Sequence, residues 1–116
     1  MINFFFKKKH RLFKDNQFNF VFLRSYRVFN KEFLILSRKN IYKYPRLGIR
    51  ISSKIIKLSC KRNVIKRLIR ESFRNNKNKL LYMDFVVIVK KNILIIKNNY
   101  LFSRLKNLWL RYYKKT

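Results

Sequence analysis

The chain has 116 residues and carries 31 Lys or Arg against 4 Asp or Glu, a formal net charge of +27. Self-repulsion on this scale destabilises a compact state, so we expect an anionic partner, and nucleic acid is the default because phosphate neutralisation releases counterions. A hydrophobic content of 48% excludes a disordered basic tail, and the length predicts a single domain, residues 1–116.

The supply of chemically active side chains is poor. The only histidine is His10 and the only glycine is Gly48, so neither a catalytic triad nor a Gly-rich phosphate loop is expected. The single Cys60 excludes an internal disulfide and a cysteine-rich zinc site, and it favours a reduced, cytoplasmic location. No apolar run approaches the roughly 18 residues of a membrane span. We therefore expect no catalytic group and no tightly bound metal or cofactor in the protein, whose four acids are scattered: Asp15, Glu32, Glu71 and Asp84.

The N-terminal dozen residues, 1–12, predict a mobile basic arm in which Lys8, Lys9 and Arg11 can reach a partner. A short helix over about 16–24 is expected next, capped by Asp15 or Asn16. Its aromatic residues leave two interpretations open. Phe18, Phe20 and Phe22 alternate as in a strand, whereas Phe18 and Phe22 alone also fit a helical i, i+4 pair.

Two strands follow. Residues 33–39 are mostly apolar and predict the first of them, and Pro45 then breaks the chain. Residues 46–53 alternate, with Leu47, Ile49 and Ile51 on one side and Gly48, Arg50 and Ser52 on the other. That alternation is typical of a half-buried strand.

Residues 61–74 predict an amphipathic helix that begins at an N-cap, Ser59, and runs to about residue 75. An apolar stripe of Ile65, Leu68, Ile69 and Phe73 anchors it to a core. The opposite face is polar and basic, and only Glu71 opposes its charge. This basic face suits a polyanion and consists of Asn63, Lys66, Arg67, Arg70 and Arg74.

The C-terminal third predicts a strand and a helix. Residues 85–89 are apolar on both faces, which indicates an interior strand covered on two sides, while residues 93–96 are ambiguous. A final helix from about Asn99 to Tyr113 carries one apolar stripe. The order of helix, strands, helix, strand and helix indicates an α+β or α/β two-layer domain. The stripe comprises Leu101, Leu105, Leu108, Trp109 and Tyr112.

The run Arg62-Asn63-Val64-Ile65-Lys66-Arg67-Leu68-Ile69-Arg70-Glu71 resembles the signature of the bacterial ribonuclease P protein subunit. Four other segments, 17–22, 45–48, 83–91 and 108–111, resemble that family in the expected order, so the resemblance spans about residues 9–115. Some positions depart from the family pattern. Val64 stands where Arg is usual, Ser59 where Ala is usual, and Ser53 and Leu36 replace a Lys and an aromatic residue.

The resemblance implies an α+β fold, a two-layer α-β sandwich of αβββαβα order with a four-stranded sheet. It also implies a left-handed β-α-β crossover, although the general rule favours a right-handed one. As a single RNA-binding domain, the chain would assist a catalytic RNA that removes the 5′ leader from precursor tRNA. Magnesium would enter through that RNA, and no obligate protein partner is evident.

The resemblance also implies roles for individual residues. The signature helix, with Arg62, Asn63, Lys66, Arg67, Arg70 and Arg74, is expected to contact the catalytic RNA. A cleft with Phe18 and Phe22, and with Arg50 and Lys54 nearby, is expected to hold the single-stranded leader, because aromatic faces stack on unpaired bases. Core packing is the alternative for both phenylalanines. For the whole chain the main alternative is a small basic ribosomal protein, and a membrane-active basic peptide is a weaker one.

Overall fold

The computed structural model describes residues 25–115, which form four strands and two helices. The order is β1 (Tyr26–Phe29), β2 (Phe33–Lys39), β3 (Arg46–Arg50), α1 (Ser59–Asn76), β4 (Met83–Val89) and α2 (Asn98–Trp109), with 3-10 turns at Lys77–Lys79 and Leu110–Tyr112. The α+β class is therefore confirmed. The helix predicted over 16–24 and the basic arm of residues 1–12 lie outside the described residues.

The four strands form one sheet in the order β1-β2-β4-β3. β2 is antiparallel to β1 and to β4, whereas β3 is parallel to β4, with Arg46 opposite Asp84 and Arg50 opposite Ile88. Parallel neighbours need a crossover connection, and α1 supplies it. The left-handedness of this crossover stays a prediction.

β4 is the interior strand that its sequence predicts. It lies between β2 and β3, and its side chains are buried on both faces of the sheet, as Phe85, Val86 and Val87 show. Phe85 and Val87 join the main core with the helices, while Val86 forms a second apolar cluster with Leu36 on the other face. β4 therefore contributes apolar side chains to both faces of the sheet.

The two helices pack their predicted stripes onto one face of this sheet. All four stripe residues of α1 are buried, and so are all five residues of the C-terminal stripe. Trp109 is at the centre: its ring lies edge-on to Phe73 at 5.7 Å and to Phe85 at 5.4 Å. Its indole N–H donates a hydrogen bond of 3.1 Å to Ser72 Oγ. This packing fixes the orientation of α1, and hence the direction in which its polar face points.

Three details of the sequence prediction are wrong. β3 ends at Arg50 rather than at residue 53, because the amides of Ile55 and Ile56 bond to the carbonyl of Ser52 and turn the chain. β3 is buried on both faces over Arg46, Leu47 and Gly48, rather than on one face as the alternation predicted. Ser59 is the first residue of α1 and not its N-cap; Leu58 holds that position, and no side chain caps the helix.

The C-terminal helix and β1 differ in smaller ways. α2 ends at Trp109, and a 3-10 turn then carries Tyr112 into the core. The sequence analysis did not predict β1, because its four residues are mostly exposed and show no clear alternation.

Candidate RNA interface

The polar side of α1 is a continuous basic face. Asn63 and Arg67 are exposed, and Lys66, Arg70 and Arg74 are half-buried. The helix has 18 residues, which corresponds to a length of about 27 Å at 1.5 Å per residue. Because the opposite stripe is fixed in the core, the helix holds its four cations, Lys66, Arg67, Arg70 and Arg74, along one side. We call Asn63, Lys66, Arg67, Arg70 and Arg74 the basic face.

Arg62 differs from these residues although it belongs to the same sequence signature. Helical spacing places it above Ile65 and Ile69, on the side that faces the core. Its Nη1 donates hydrogen bonds of 2.8 Å to the carbonyl oxygens of Ile56 and of Lys57. Arg62 thus links the first turn of α1 to the segment that connects β3 with this helix. The sequence could not reveal this role, because its acceptors are backbone atoms.

Glu71 is the only acid on α1 and is half-buried beside the basic face. Within the described part of the chain, ion pairs are formed by Glu32 with Arg104 and by Asp84 with Arg46, and none involves Glu71. Glu71 is thus the one acid that α1 itself places near the four cations of the basic face.

The two leader-cleft residues that the structure describes lie close together along the chain. Arg50 is exposed at the end of β3, and Lys54 is exposed in the turn that follows. Leu47 and Ile49 pack with the helices, so by strand alternation Arg46 and Arg50 project from the opposite face of the sheet. Phe18 and Phe22, and the arm residues Lys8, Lys9 and Arg11, lie outside the described residues.

Arg46 is buried on that opposite face and forms a bidentate ion pair with Asp84. Nε lies 2.7 Å from Oδ1, and Nη2 lies 2.7 Å from Oδ2. The hydrogen bond to Asp84 raises the pKa of Arg46 above its usual value. Arg104, whose Nε lies 2.7 Å from Glu32 Oε1, likewise has a raised pKa because of that hydrogen bond.

These ion pairs limit what the carboxylates can do chemically. Glu32 and Asp84 are each bound to an arginine, and the described residues contain no group of three His, Cys, Asp or Glu side chains that could hold a metal ion. Neither acid is placed to act as a general base. Within residues 25–115, no helix combines the length and the apolar character that crossing a membrane requires.

The loop between β2 and β3 carries a feature that the sequence analysis did not single out. Tyr42 and Tyr44 lie with ring centroids 5.5 Å apart, and the Arg46 guanidinium lies 4.4 Å from the centre of the Tyr42 ring. Ile41, at the tip, is 93% exposed. The sequence signal that could have indicated this feature is the pair of tyrosines in a short segment of a basic chain. We call residues 40–44 the tyrosine loop.

Comparison with known proteins gives consistent results. The sequence model of the Ribonuclease P family matches residues 6–113. The Ribonuclease P protein component of Buchnera aphidicola subsp. Acyrthosiphon pisum (strain APS) is 49% identical over 115 residues, which is 98% of this chain and 100% of the relative.

Two solved structures share the fold. The RNase P protein from Thermotoga maritima has a TM-score of 0.80 and 32% identity, covering 90% of this chain and 98% of the other. The RNase P protein of Staphylococcus aureus has a TM-score of 0.80 and 28% identity, covering 85% and 91%. The family match over residues 6–113 includes the basic face, β3 and α2.

Proposed function

This chain belongs to the ribonuclease P protein family, and on that premise we propose that it assists cleavage of precursor tRNA without contributing a catalytic group. As a protein subunit of ribonuclease P, it associates with the RNA of that enzyme. The alternative of a small ribosomal protein is not supported by any of the similarities described above.

The basic face of α1 is the proposed contact to the catalytic RNA. Lys66, Arg67, Arg70 and Arg74 lie on the side of α1 opposite the buried stripe, and the helix itself carries a single acid, Glu71. Binding them to phosphates releases counterions and reduces repulsion between RNA segments, which favours magnesium binding by the RNA. Arg62 contributes by holding the start of the helix in place. Asn63 adds a neutral hydrogen-bonding group to the same face.

The opposite face of the sheet is the proposed contact to the 5′ leader. Arg50 and Lys54 are exposed at the end of β3 and beyond it, and we expect Phe18 and Phe22 to stack on unpaired bases beside them. The arm residues Lys8, Lys9 and Arg11 are expected to add contacts to the backbone of the RNA. Leader and catalytic RNA would therefore occupy opposite sides of the sheet.

We assign the phosphodiester chemistry to the RNA subunit and its magnesium ions. The arginine partners of Glu32 and Asp84 support this assignment, since they leave those carboxylates unsuited to metal binding or proton transfer. We propose that the protein acts in the cytoplasm, because a reducing compartment suits the free and exposed thiol of Cys60.

The main support for the proposal is that the buried stripe of α1 fixes the orientation of the basic face. The test is reconstitution with the cognate RNA at low magnesium, where adding the protein should increase the rate of precursor cleavage. Arg67→Gln should reduce this gain, whereas Lys31→Gln, an exposed change in the turn after β1, should not. If the wild-type protein gives no gain at low magnesium, the proposal fails.

A further inference from the structure

The tyrosine loop is held in one conformation by a network below it. Asn40 Nδ2 donates to Asp84 Oδ1 at 2.8 Å and to the carbonyl of Tyr44 at 3.3 Å, and Asn40 Oδ1 accepts from the amide of Tyr42 at 3.0 Å. The same Asp84 carboxylate binds Arg46, whose guanidinium lies against the Tyr42 ring. The loop is thus tied to the interior strand β4 through a buried charge pair, and little ordering is required when it binds a ligand.

This rigid loop exposes apolar surface in a highly charged protein. Ile41 is 93% exposed and Tyr42 is 40% exposed, and they are adjacent in the chain. Single exposed apolar residues need no explanation. Two neighbours presented by a fixed loop, with a cation behind one of the rings, have the character of a stacking surface for a base.

The charge around the loop suits a nucleic acid. Lys39 at the end of β2 and Lys43 within the loop are both exposed. Unpaired nucleotides offer a flat base and a negative phosphate together, and proteins bind them by combining aromatic faces with nearby cations. Lys39 and Lys43 supply the cations of such a site.

The position of the loop indicates which RNA it meets. Arg46 and Arg50 project from the same face of β3, opposite to the face that packs on α1. They are four residues apart, which corresponds to about 13 Å at 3.3 Å per residue. Tyr42 covers Arg46, so the loop continues the side of the sheet on which Arg50 lies. The basic face of α1 belongs to the other layer.

We propose that the tyrosine loop is a second contact for the 5′ leader of precursor tRNA, in which Tyr42 stacks on an unpaired base beyond those held near Arg50 and Lys54. Lys39 and Lys43 bind the flanking phosphates. This inference rests on the proposed function, which places the leader on this side of the sheet. It predicts that long leaders are bound more tightly than leaders too short to reach the loop.

The test measures the affinity of the reconstituted holoenzyme for precursors of graded leader length. Tyr42→Ala should weaken the binding of long-leader precursors by about tenfold, the range expected for one lost stacking contact, and leave short-leader precursors unchanged. Tyr42→Phe should bind like wild type, since it keeps the ring. Ile41→Ser, which touches none of the hydrogen bonds of the loop, should weaken long-leader binding by a smaller factor.

The outcomes separate this inference from the proposed function. If wild type prefers long leaders but Tyr42→Ala leaves that preference intact, the inference is wrong and the proposed function stands. An equal loss for short and long leaders, or weaker binding of the catalytic RNA alone, also overturns the inference. If Arg50→Ala has no effect and wild type binds all leader lengths equally, leader binding by this face fails altogether. Thermal unfolding of Tyr42→Ala and Tyr42→Phe shows whether a loss reflects altered folding.

Discussion

The basic face of α1 and the buried Arg46 show two uses of the same kind of charge. On α1, four cations lie at the surface with Glu71 as the nearby acid. At Arg46, the chain supplies its own counter-ion at 2.7 Å, and the pair is buried. The carboxylate beside Arg46 allows a buried cation to serve the fold, whereas the cations of the basic face are grouped along one side of a helix, where we propose that they meet phosphates. A structural arginine in this protein has a fixed partner within the fold, which is an acid for Arg46 and a pair of backbone carbonyls for Arg62.

The largest expected effect on stability comes from removing Asp84, the acid of the buried pair. Asp84→Asn leaves the guanidinium of Arg46 buried without its counter-charge and weakens the anchor of Asn40. We expect the free energy of unfolding to fall by about 3–5 kcal/mol, as measured by urea denaturation. Glu71→Gln, which removes an acid that has no ion-pair partner in the described chain, should change stability by less than about 0.5 kcal/mol.

A paired replacement sharpens the same point. Arg46→Met combined with Asp84→Leu removes both charges together and should recover much of the stability lost in Asp84→Asn, because no lone charge stays buried. A double variant as unstable as Asp84→Asn would show that packing, and not the unpaired charge, determines the loss.

Arg62 tests the boundary between the two classes. Arg62→Met removes the two hydrogen bonds to the carbonyls of Ile56 and Lys57 and should lower the free energy of unfolding by about 1–3 kcal/mol. Arg67→Met, five residues further along α1 and on the basic face, should change stability by less than about 0.5 kcal/mol. Equal stability of the two variants in urea would contradict a structural role for Arg62.

For the basic face the expected effect is on binding. Arg67→Gln should weaken association with the RNA of ribonuclease P by about 1 kcal/mol. The slope of log affinity against log salt should also fall by about 0.7–0.9, the value for one lost phosphate contact. Filter binding over a range of salt concentrations measures both. An unchanged slope would mean that Arg67 does not contact phosphate.

The smallest effect concerns alkaline pH. Burial raises the pKa of Tyr112 above its ordinary value of 10.0. The folded protein therefore keeps the phenol proton at a pH where the unfolded chain has lost it. This contribution to stability is complete below about pH 10 and decreases as the pH rises towards the folded-state pKa. Tyr112→Phe should lose less stability than wild type between pH 9 and about pH 11 in thermal unfolding, and parallel profiles would contradict the assignment.

The features that the sequence predicted depend on local patterns. The stripes of α1 and of the C-terminal helix follow from helical spacing alone, and β4 follows from a run of apolar residues between polar ones. The basic face was predicted for the same reason, because its members share one side of one helix.

The features that the sequence analysis missed depend on partners that are distant in the chain. The sequence does not show that Arg46 is buried. Its burial depends on the ion pair with Asp84, which lies thirty-eight residues later in the chain. The acceptors of Arg62 are backbone carbonyls, which no residue type reveals. The tyrosine loop needs Asn40 and Asp84 together, and β1 is held by its pairing with β2 rather than by a pattern of its own.

The Arg46–Asp84 pair also has a consequence for how the chain folds. It lies at the first position of the parallel ladder between β3 and β4, the pairing that encloses α1. A slip of β3 by one residue would turn Arg46 to the other side of the sheet and leave Asp84 buried without its cation. The ion pair therefore selects a single alignment of the two strands. Since such non-local pairings form slowly, we expect the helix layer to pack fully only when that alignment has been reached.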